Sequence, residues 1–493
     1  MEKHVLSKST FIRGVQCLKS LYFYKNFIQL RDPLSSEQQA IFSRGNAVGV
    51  LAQKLFPNGI DASPGKRSDT IQAVQKTKDL IENGVEVIYE AAFQFAGVLS
   101  ILDVLVKKNG QWYAYEVKSS AKISQTYILD ASLQYWVISS SGILLEDISI
   151  ININSKYVKN GAIEVDKLFK ITSVKEEVLR NQSLVADKIQ EAKAVIGSAQ
   201  MPEIKIGAHC FSPYACDFMG QCWKSVPANS VFEIAGITKE EQFGFYNSGI
   251  KTIAQIPEKN ELNEHANSQL KALKNDEIKV DKDLIKNFID SLIYPLNFID
   301  FETFMPAIPI YDKTHPYQNI AFQFSLHIKD EKGKLEHIEF LGEAGIDPRK
   351  SFLENVLKAT EGKGSILVYD ALMERGILNG LKKDLPEYAL EIDQRLGRIV
   401  DLMKPFQDKA YYHPKFKGSF SLKNVLPAIA PELSYAGLKI SSGSIAMIAF
   451  EKLQTESDMF KIIETREALL EYCKMDTLAM VKIFEVLENA ISE

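Results

Sequence analysis

The stretch VLSILDVLVKKNGQWYAYEVK, residues 98–118, predicts the fold of the first half of the chain. Two apolar runs flank Asn109-Gly110, a dipeptide that is a strong short-range signal for a two-strand hairpin. Glu116 and Lys118 are two positions apart, so their side chains project from one face of the second strand. Asp103 can face them from the first strand. The hairpin therefore predicts two carboxylates and an amine close together.

Two carboxylates and a lysine are residue types suited to metal-dependent hydrolysis. Two carboxylates can hold a hard cation such as Mg²⁺ through oxygen. A neighbouring lysine can orient or deprotonate a water, or neutralise charge that develops on a phosphate. The trio thus favours phosphodiester hydrolysis. The alternative is that the three residues occur by chance on a solvated strand face. However, the neighbouring residues in both strands are apolar, and charged side chains among them cost free energy unless they have a function.

Composition limits the class of protein. A length of 493 residues predicts two to four domains at roughly 100–200 residues each. Hydrophobic residues make up 46% and charged residues 25%, which is typical of a globular protein. The net charge of −5 gives no bulk electrostatic argument for nucleic acid, so any basic surface must be local. No long apolar run and no signal-peptide core is seen, and we expect a cytoplasmic protein.

Three of the five cysteines are evenly spaced. Cys210, Cys216 and Cys222 are six positions apart, in a loop rich in aromatic residues. A disulfide is not expected in a cytoplasmic protein, and a metal site needs a fourth ligand, for which Cys17 is the candidate. Four thiolates suit zinc or a [4Fe–4S] cluster, and the lack of close cysteine pairs favours the cluster. The alternative is that the three cysteines are buried apolar residues.

Together these motifs resemble the RecB-like nucleases of the PD-(D/E)XK superfamily, from about Leu6 to Trp223. The resemblance is to the iron–sulfur branch that includes CRISPR-associated and AddB-type exonucleases. It implies that an N-terminal cysteine and the later three hold a cluster across a restriction-endonuclease-like mixed sheet. The cysteine spacing departs from the commonest pattern of that branch, in which two of the three are closer together.

The same resemblance assigns roles within the first half. It implies that Asp103 and Glu116 bind the metal and that Lys118 assists the water. It also makes Glu90 an outer acid. Gln134, in a Gln-Tyr motif on the helix after the lysine strand, would position the DNA backbone or the active site.

A second acidic arrangement lies beyond a helical connector. The connector contains a possible helix-hairpin-helix element around Gly249, although plain helical packing explains that pattern as well. A strand then leads into Asp300 and Glu302, which share one face. Tyr472 and Asp476 are four apart, hence on one face of a helix. Acidic residues placed in this way can bind two cations that assist phosphoryl hydrolysis. The alternative is that the three acidic residues simply lie on the solvent-exposed surface.

Residues 294–491 resemble a DnaQ-like 3′→5′ exonuclease of the DEDD class, with an RNase H-like fold. The resemblance implies that Asp300 and Glu302 form its first motif and that Asp476 is the last metal ligand. Tyr472 would orient the attacking water. Glu374 falls where the second motif usually has Asp, and this longer side chain alters that ligand.

Four other residues near these motifs have less definite or non-catalytic roles. Asp370 falls where Asn is common in the second motif. Asp401 resembles a recurring acid of these folds, with helix capping as an equal alternative. Cys473 and His413 are expected to be non-catalytic.

We therefore predict an α/β chain of three parts: a nuclease domain over residues 1–226, a helical connector over 227–290 and an exonuclease domain over 291–493. This order resembles an uncharacterised bacterial family that combines both nuclease modules. The expected activity is Mg²⁺- or Mn²⁺-dependent cleavage of DNA, in repair, recombination or defence. The chain has no Walker-type loop, so any unwinding would come from a partner helicase. The alternatives are an RNA substrate, or a nucleic-acid-binding or redox-sensing protein in which one or both sites are degenerate.

Overall fold

The computed structural model describes residues 4–66, 69–257 and 262–492. The chain divides into two compact units. The first contains residues 1–225 and 307–317, and the second contains residues 226–306 and 318–493. The chain is a mixed α/β protein, as predicted. None of the described helices is both long enough and apolar enough to cross a membrane.

A mixed sheet is the centre of the first unit. Its strands are β1 (Leu6–Ser7), β2 (Ile60–Asp61), β3 (Val87–Phe95), β4 (Val98–Lys108), β5 (Gln111–Lys118), β6 (Leu145–Ile153) and β7 (Phe169–Ser173). The order across the sheet is β2-β3-β4-β5-β6-β7, and β1 pairs in parallel with β4. β5 and β6 are parallel, whereas β3, β4 and β5 are antiparallel neighbours.

Helices cover this sheet. They are α1 (Lys8–Gln16), α2 (Leu18–Asn26), α3 (Ser36–Ala52), α4 (Thr70–Glu82), α5 (Gln125–Ser140), α6 (Val165–Leu168), α7 (Lys175–Arg180), α8 (Gln182–Gly197) and α9 (Met219–Cys222). One core packs the sheet against α1, α5 and α8, and another packs the opposite side against α3. Both faces of the sheet are therefore buried, so a charged side chain on them needs a partner.

The hairpin expected at Asn109-Gly110 is present between β4 and β5. Asn109 has φ 51° and Gly110 has φ 82°. Two successive left-handed residues form the type of turn whose twist matches that of the flanking strands. The turn fixes the register, with Val104 opposite Tyr115. Asp103 therefore lies beside Glu116 on the neighbouring strand.

The second unit contains a five-stranded mixed sheet and one short strand pair. Its strands are β8 (Lys279–Val280), β9 (Leu296–Phe304), β10 (Ile320–Lys329), β11 (Leu335–Leu341), β12 (Ile366–Val368), β13 (Ile399–Asp401) and β14 (Tyr411–Tyr412). The larger sheet has the order β11-β10-β9-β12-β13, and β14 pairs with β8. β9 is antiparallel to β10 and parallel to β12.

Helices flank this second sheet. They are α10 (Lys239–Asn247), α11 (Glu264–Asn275), α12 (Lys282–Asp290), α13 (Arg349–Ala359), α14 (Ala371–Asp384), α15 (Ala389–Leu396), α16 (Lys404–Gln407), α17 (Leu422–Ile429), α18 (Gly443–Leu453) and α19 (Met459–Ser492). The side chains of β9 alternate between two cores: Phe298 packs with α19, while Ile299 and Phe301 pack with α13 and α14. This alternation places Asp300 and Glu302 on the α19 side of the strand.

The predicted connector begins with a small core of its own. α10 is followed by Gly249, whose φ is 97°, and then by a single 3-10 turn, Ile253–Gln255. Ile253 and Ile256 bury their side chains against Leu270 of α11. Packing against α11 therefore accounts for the apolar pattern that suggested a helix-hairpin-helix. Residues 258–261, inside the predicted connector, lie outside the described residues.

Candidate functional site

The β4–β5 hairpin and the helices over it form the first candidate site. It consists of Lys8, Glu90, Asp103, Glu116, Lys118, Asp130 and Gln134. The Val117 backbone N–H donates to Asp103 Oδ2 at 2.5 Å, which fixes this carboxylate across the hairpin. Glu116 is only 1% exposed, so its charge must be balanced inside the protein.

Both carboxylate oxygens of Glu116 have partners. Lys8 Nζ and Lys118 Nζ each lie 2.6 Å from Oε1. Gln134 Nε2 donates to Oε2 at 2.7 Å. The structure thus places Lys118 and Gln134 against the glutamate. It also adds Lys8, which sequence reasoning missed.

Asp130 is the second residue that sequence reasoning missed. It lies on α5, four positions before Gln134 and therefore on the same helical face. Lys118 Nζ is 2.5 Å from Asp130 Oδ2, whereas Lys8 Nζ is 4.0 Å from the same atom. An aspartate in the apolar stretch of α5 was the available signal, because an unpaired buried charge is costly.

Charges within the first site shift the pKa values of its members in opposite directions. Burial and the neighbouring Glu116 raise the pKa of Asp103 well above its usual value. Burial disfavours ionisation of Glu116 too, but Lys118 and Lys8 outweigh it and hold the pKa of Glu116 below its usual range. Burial opposes the charge of Lys118, yet Glu116 and Asp130 raise its pKa. Lys118 is therefore held as an ammonium that supplies charge.

Glu90 lies on β3, at the position opposite Asp103. The strand pairs Tyr89 with Val104 and Ala91 with Leu102, and the glutamate between them has φ 53°. A non-glycine residue in this region is strained, and such strain is concentrated at functional sites. Burial raises the pKa of Glu90, and the charge of Lys8 lowers it. Glu90 is thus brought to the edge of the site, as an outer acid would be.

The four predicted cluster ligands meet in one place, here called the cysteine pocket. Cys17, Cys210, Cys216 and Cys222 line one small pocket, together with Phe218. None of them forms a disulfide. Within the described residues, no three of their sulfur atoms lie within 4.8 Å of one another.

Helix α1 joins the cysteine pocket to the first site. Lys8 is its first residue, and Cys17 follows its last residue. Gln16 Nε2 donates to the backbone carbonyls of His209 and Tyr214, at 2.8 and 2.7 Å. Arg13, also on α1, forms a bidentate ion pair with Asp217. The cysteine loop is therefore fastened to the helix that carries Lys8.

The second candidate site lies between β9, α18 and α19. Asp300, Glu302 and Asp476 each offer a carboxylate oxygen, and these three atoms lie within 4.8 Å of one another. Burial, reinforced by Asp476, raises the pKa of Glu302 to about 8. Burial, Asp476 and Glu302 raise the pKa of Asp300 well above its usual value. Such a group binds protons or metal cations to relieve its own repulsion.

Two tyrosines contact Asp476 in the second site. Burial raises the pKa of Asp476 to about 6, and hydrogen bonds from Tyr435 and Tyr472 oppose that rise. Tyr472 is one helical turn before Asp476 on α19 and is 4% exposed. It was predicted from the sequence. Tyr435, in the segment between α17 and α18, was not, because nothing in its local pattern marks it.

Glu374 lies outside the group of three carboxylates. It is in the first turn of α14 and lines a cavity with Ile299 and Phe301, whose side chains are on the opposite face of β9 from Asp300. Its Oε2 has no hydrogen-bond partner among the described residues. Burial, together with Asp370 and Asp401, raises the pKa of Glu374 to about 8. Its predicted role as a metal ligand stays a prediction.

Asp401 caps a helix, which is one of the two roles expected for it. Its carboxylate accepts backbone N–H bonds from Asp370 and Ala371 at the start of α14, at 3.2 and 3.1 Å. A third comes from Met403 at 2.9 Å. Asp370 itself is exposed and is the N-cap residue of α14. Its φ of 71° is a strained conformation for a residue other than glycine.

Cys473 and His413 were both expected to be non-catalytic. Cys473 is fully buried behind Asp300, with Sγ 3.8 Å from Oδ2 of that residue. His413 accepts a hydrogen bond from the Lys415 backbone N–H at the start of a 3-10 turn. This contact is structural.

The chain is similar to proteins without a described activity. Residues 297–421 match the family described as Domain of unknown function (DUF2779). The chain is 25% identical over 214 residues to the Uncharacterized protein MG366 homolog of Mycoplasma pneumoniae, covering 40% of this chain and 32% of that protein. It is 24% identical over 248 residues to the Uncharacterized protein UU173 of Ureaplasma parvum, covering 45% and 35%. The matches span about a third of the length of these relatives. The family match covers nearly all of β9 and the whole of α14, with Asp300, Glu302 and Glu374.

Proposed function

We propose that this chain is a metal-dependent nuclease with two active sites that hydrolyse phosphodiester bonds of DNA. The observation that carries the proposal is the approach of one carboxylate oxygen each of Asp300, Glu302 and Asp476 to within 4.8 Å, where Asp300 is half-buried and the other two are buried. Buried carboxylates this close repel one another unless they bind protons or cations. Oxygen-only ligands of this kind are those that Mg²⁺ and Mn²⁺ prefer.

In the second site the protein supplies ligands and orientation. Asp300 and Glu302 hold one side of the group from β9, and Asp476 holds the other from α19. A bound divalent cation would lower the pKa of a water and neutralise charge on the phosphate. Tyr472 would orient that water, and Tyr435 fixes the carboxylate of Asp476 by a hydrogen bond. The five-stranded mixed sheet with flanking helices supports the DnaQ-like, RNase H-like assignment.

In the first site the protein supplies two carboxylates and a fixed lysine. Asp103 and Glu116 offer the oxygen ligands, with Glu90 at the edge. Gln134 orients Glu116 from the buried side, at 2.7 Å. Asp130 orients Lys118, whose ammonium would face charge that develops on the phosphate. This division of roles supports the PD-(D/E)XK assignment for the first unit.

The residues of the cysteine pocket fit an iron–sulfur cluster better than a zinc ion. Zn–S bonds of about 2.3 Å bring four sulfurs close together around a single atom. The described cysteines surround a cavity instead, with no three sulfurs within 4.8 Å. Cys17, Cys210, Cys216 and Cys222 would hold the cluster, and it would fasten the cysteine loop to α1. Zinc is the alternative cofactor.

DNA single strands or ends are the proposed substrate, and RNA is the alternative. A partner helicase would supply unwinding. A second candidate function, nucleic-acid binding with a degenerate second site, is favoured by one observation. Glu374 lines an apolar cavity and contributes no oxygen to the group of three carboxylates.

The test is cleavage of end-labelled single-stranded DNA and RNA with Mn²⁺, under anaerobic conditions. Wild type, Lys118→Ala, Asp300→Ala and the double variant are compared. Lys122→Ala and Asp290→Ala are matched controls, since both residues are exposed and lie outside the two sites. We expect each active-site substitution to remove a distinct set of products, and the double variant to leave both substrates intact. Intact substrates in the wild-type reaction would overturn the proposal.

A further inference from the structure

The first site contains two lysines on a single glutamate oxygen. Lys8 Nζ and Lys118 Nζ are both 2.6 Å from Glu116 Oε1, and Gln134 occupies Oε2. Oε1 therefore accepts from two lysines at once, whereas Oε2 accepts from Gln134 alone. A carboxylate oxygen offers about two lone pairs, so a cation that coordinates Oε1 has to displace one of the two lysines.

Lys8 is the donor that the structure holds least firmly. Lys118 has a second carboxylate partner, Asp130, at 2.5 Å, and its side chain is 16% exposed. Lys8 lies 4.0 Å from Asp130 and is 29% exposed. Gln134 is fully buried. Lys8 can therefore leave Glu116 and reach solvent, while the other two donors stay in place.

Charge in the first site matches one divalent cation. The site has four carboxylates, those of Glu90, Asp103, Glu116 and Asp130, and two lysine ammoniums. Burial raises the pKa of Asp103, so the four carboxylates are all ionised only when a bound cation favours their charged forms, and they then exceed the two ammoniums by two charges. One divalent cation neutralises this excess, and the displaced ammonium of Lys8 is then available to a phosphate anion.

We propose that Lys8 is the exchangeable ammonium of the first site: it holds Glu116 until a divalent cation binds, and then binds the phosphate of the nucleic acid. This role rests on the proposed nuclease function of that site. It makes Lys8 a competitor of the metal and a partner of the substrate. A purely structural lysine would not have both properties.

The test uses the full chain with Asp300→Asn, which removes a ligand of the second site. Lys8→Ala, Lys8→Met and Lys8→Arg are made in this parent. Lys78→Ala is the matched control, because Lys78 pairs with Glu82 on the exposed surface of α4. Mn²⁺ binding is measured by the electron paramagnetic resonance of free Mn²⁺. Binding of a fluorescent oligothymidine is measured in Ca²⁺ over a range of KCl concentrations. Melting temperature and iron content show whether each variant is folded.

The proposal predicts two effects of opposite sign. Lys8→Ala and Lys8→Met bind the first-site Mn²⁺ about tenfold more tightly, since a charge-assisted hydrogen bond no longer competes. The same variants lose a phosphate contact. A plot of the logarithm of the oligothymidine binding constant against the logarithm of KCl concentration therefore becomes less steep, by about 0.7 in slope. Lys8→Arg keeps the slope, and Lys78→Ala changes neither quantity. Unchanged or weaker Mn²⁺ binding in folded Lys8→Ala and Lys8→Met, or an unchanged slope, overturns the proposal.

Cleavage by the same proteins separates this inference from the nuclease function. If the Asp300→Asn parent cuts no nucleic acid with any divalent cation, the proposed function fails at the first site. If the parent cuts and Lys8→Ala cuts at the same rate, the function stands and the role of Lys8 fails. A turnover about 10²-fold lower in Lys8→Ala, with wild-type melting temperature, supports both.

Discussion

The Tyr435 hydroxyl donates a hydrogen bond to Oδ1 of Asp476, the carboxylate that closes the second site. Tyr472 bonds to the same residue from one helical turn away, and the two tyrosine rings lie 6.2 Å apart. Hydrogen bonds to an ionised carboxylate favour its charged form. The two hydroxyls thus favour the ionised form of Asp476 and oppose the effect of its burial.

Tyr435→Phe should shift the pH dependence of the second site. Loss of this hydrogen bond raises the pKa of Asp476 above about 6, so the carboxylate ionises at higher pH. In the Lys118→Ala background, we expect the acid limb of the pH–rate profile to move to higher pH, with turnover near neutral pH falling about tenfold. Tyr388→Phe is the control, because Tyr388 bonds Glu354 on the surface. An unmoved acid limb would show that Tyr435 does not position Asp476.

The second site should make stability fall as pH rises. Folding raises the pKa of Glu302 from 4.5 to about 8, so the folded chain binds this proton more tightly than the unfolded chain. Its contribution to stability is complete below about pH 4.5 and is lost as pH rises toward about 8. We expect the melting temperature without divalent ions to decrease across this window.

Divalent cations should reverse that loss. Mg²⁺ at 100 times its Kd adds about 2.7 kcal/mol to the free energy of unfolding, and the gain should be larger at the alkaline end of the window. Glu302→Gln should flatten the pH dependence and reduce the gain. Glu336→Gln, on an exposed residue, should behave as wild type. Equal effects of Mg²⁺ on wild type and Glu302→Gln would contradict a cation site at this residue.

Cysteine substitution should separate the two proposed cofactors of the pocket. Cys17→Ser and Cys216→Ser each remove one of four thiolates, and we expect bound iron and visible absorption to be lost from protein purified anaerobically. Cys473→Ser, outside the pocket, should keep the iron. If elemental analysis of the wild-type protein finds zinc and no iron, the iron–sulfur cluster is excluded, and the four cysteines are a zinc site instead. Absence of both metals would leave the cysteines as buried apolar residues.

Asp401→Ala should affect stability rather than cation binding. The carboxylate of Asp401 accepts three backbone N–H bonds, two of them at the start of α14. Loss of a cap of this kind costs about 1 kcal/mol, and up to about 2. We expect denaturant unfolding to show this loss, while Mn²⁺ binding stays at the wild-type value. A marked decrease in Mn²⁺ affinity would make Asp401 a ligand instead.

Local patterns predicted the parts of the fold that local physics determines. Asn109-Gly110 specified the hairpin because two left-handed residues suit that turn. Alternation placed Asp300 and Glu302 on one face, and helical spacing placed Tyr472 with Asp476. In each case the partners are close in sequence or lie on one regular element.

Residues joined by distant contacts could not be predicted in this way. Lys8 reaches Glu116 across 108 positions, because the two-residue strand β1 pairs in parallel with β4. A strand of two residues is too short to show an alternating pattern in the sequence, so its position could not be predicted. Tyr435 likewise lies in an irregular segment. The match of Glu374 by sequence position likewise gave no sign that this residue lines a cavity with Ile299 and Phe301.

Helix α1 is nine residues long, with Lys8 at one end and Cys17 just past the other. At about 1.5 Å per residue, the two positions are roughly 14 Å apart along the helix. On the proposed function, damage to the sulfur ligands would loosen one end of a helix whose other end carries Lys8 into the first site. The carboxylates of the second site lie on β9 and α19 instead. Oxidation of the proposed cluster would then impair the first proposed activity and spare the second.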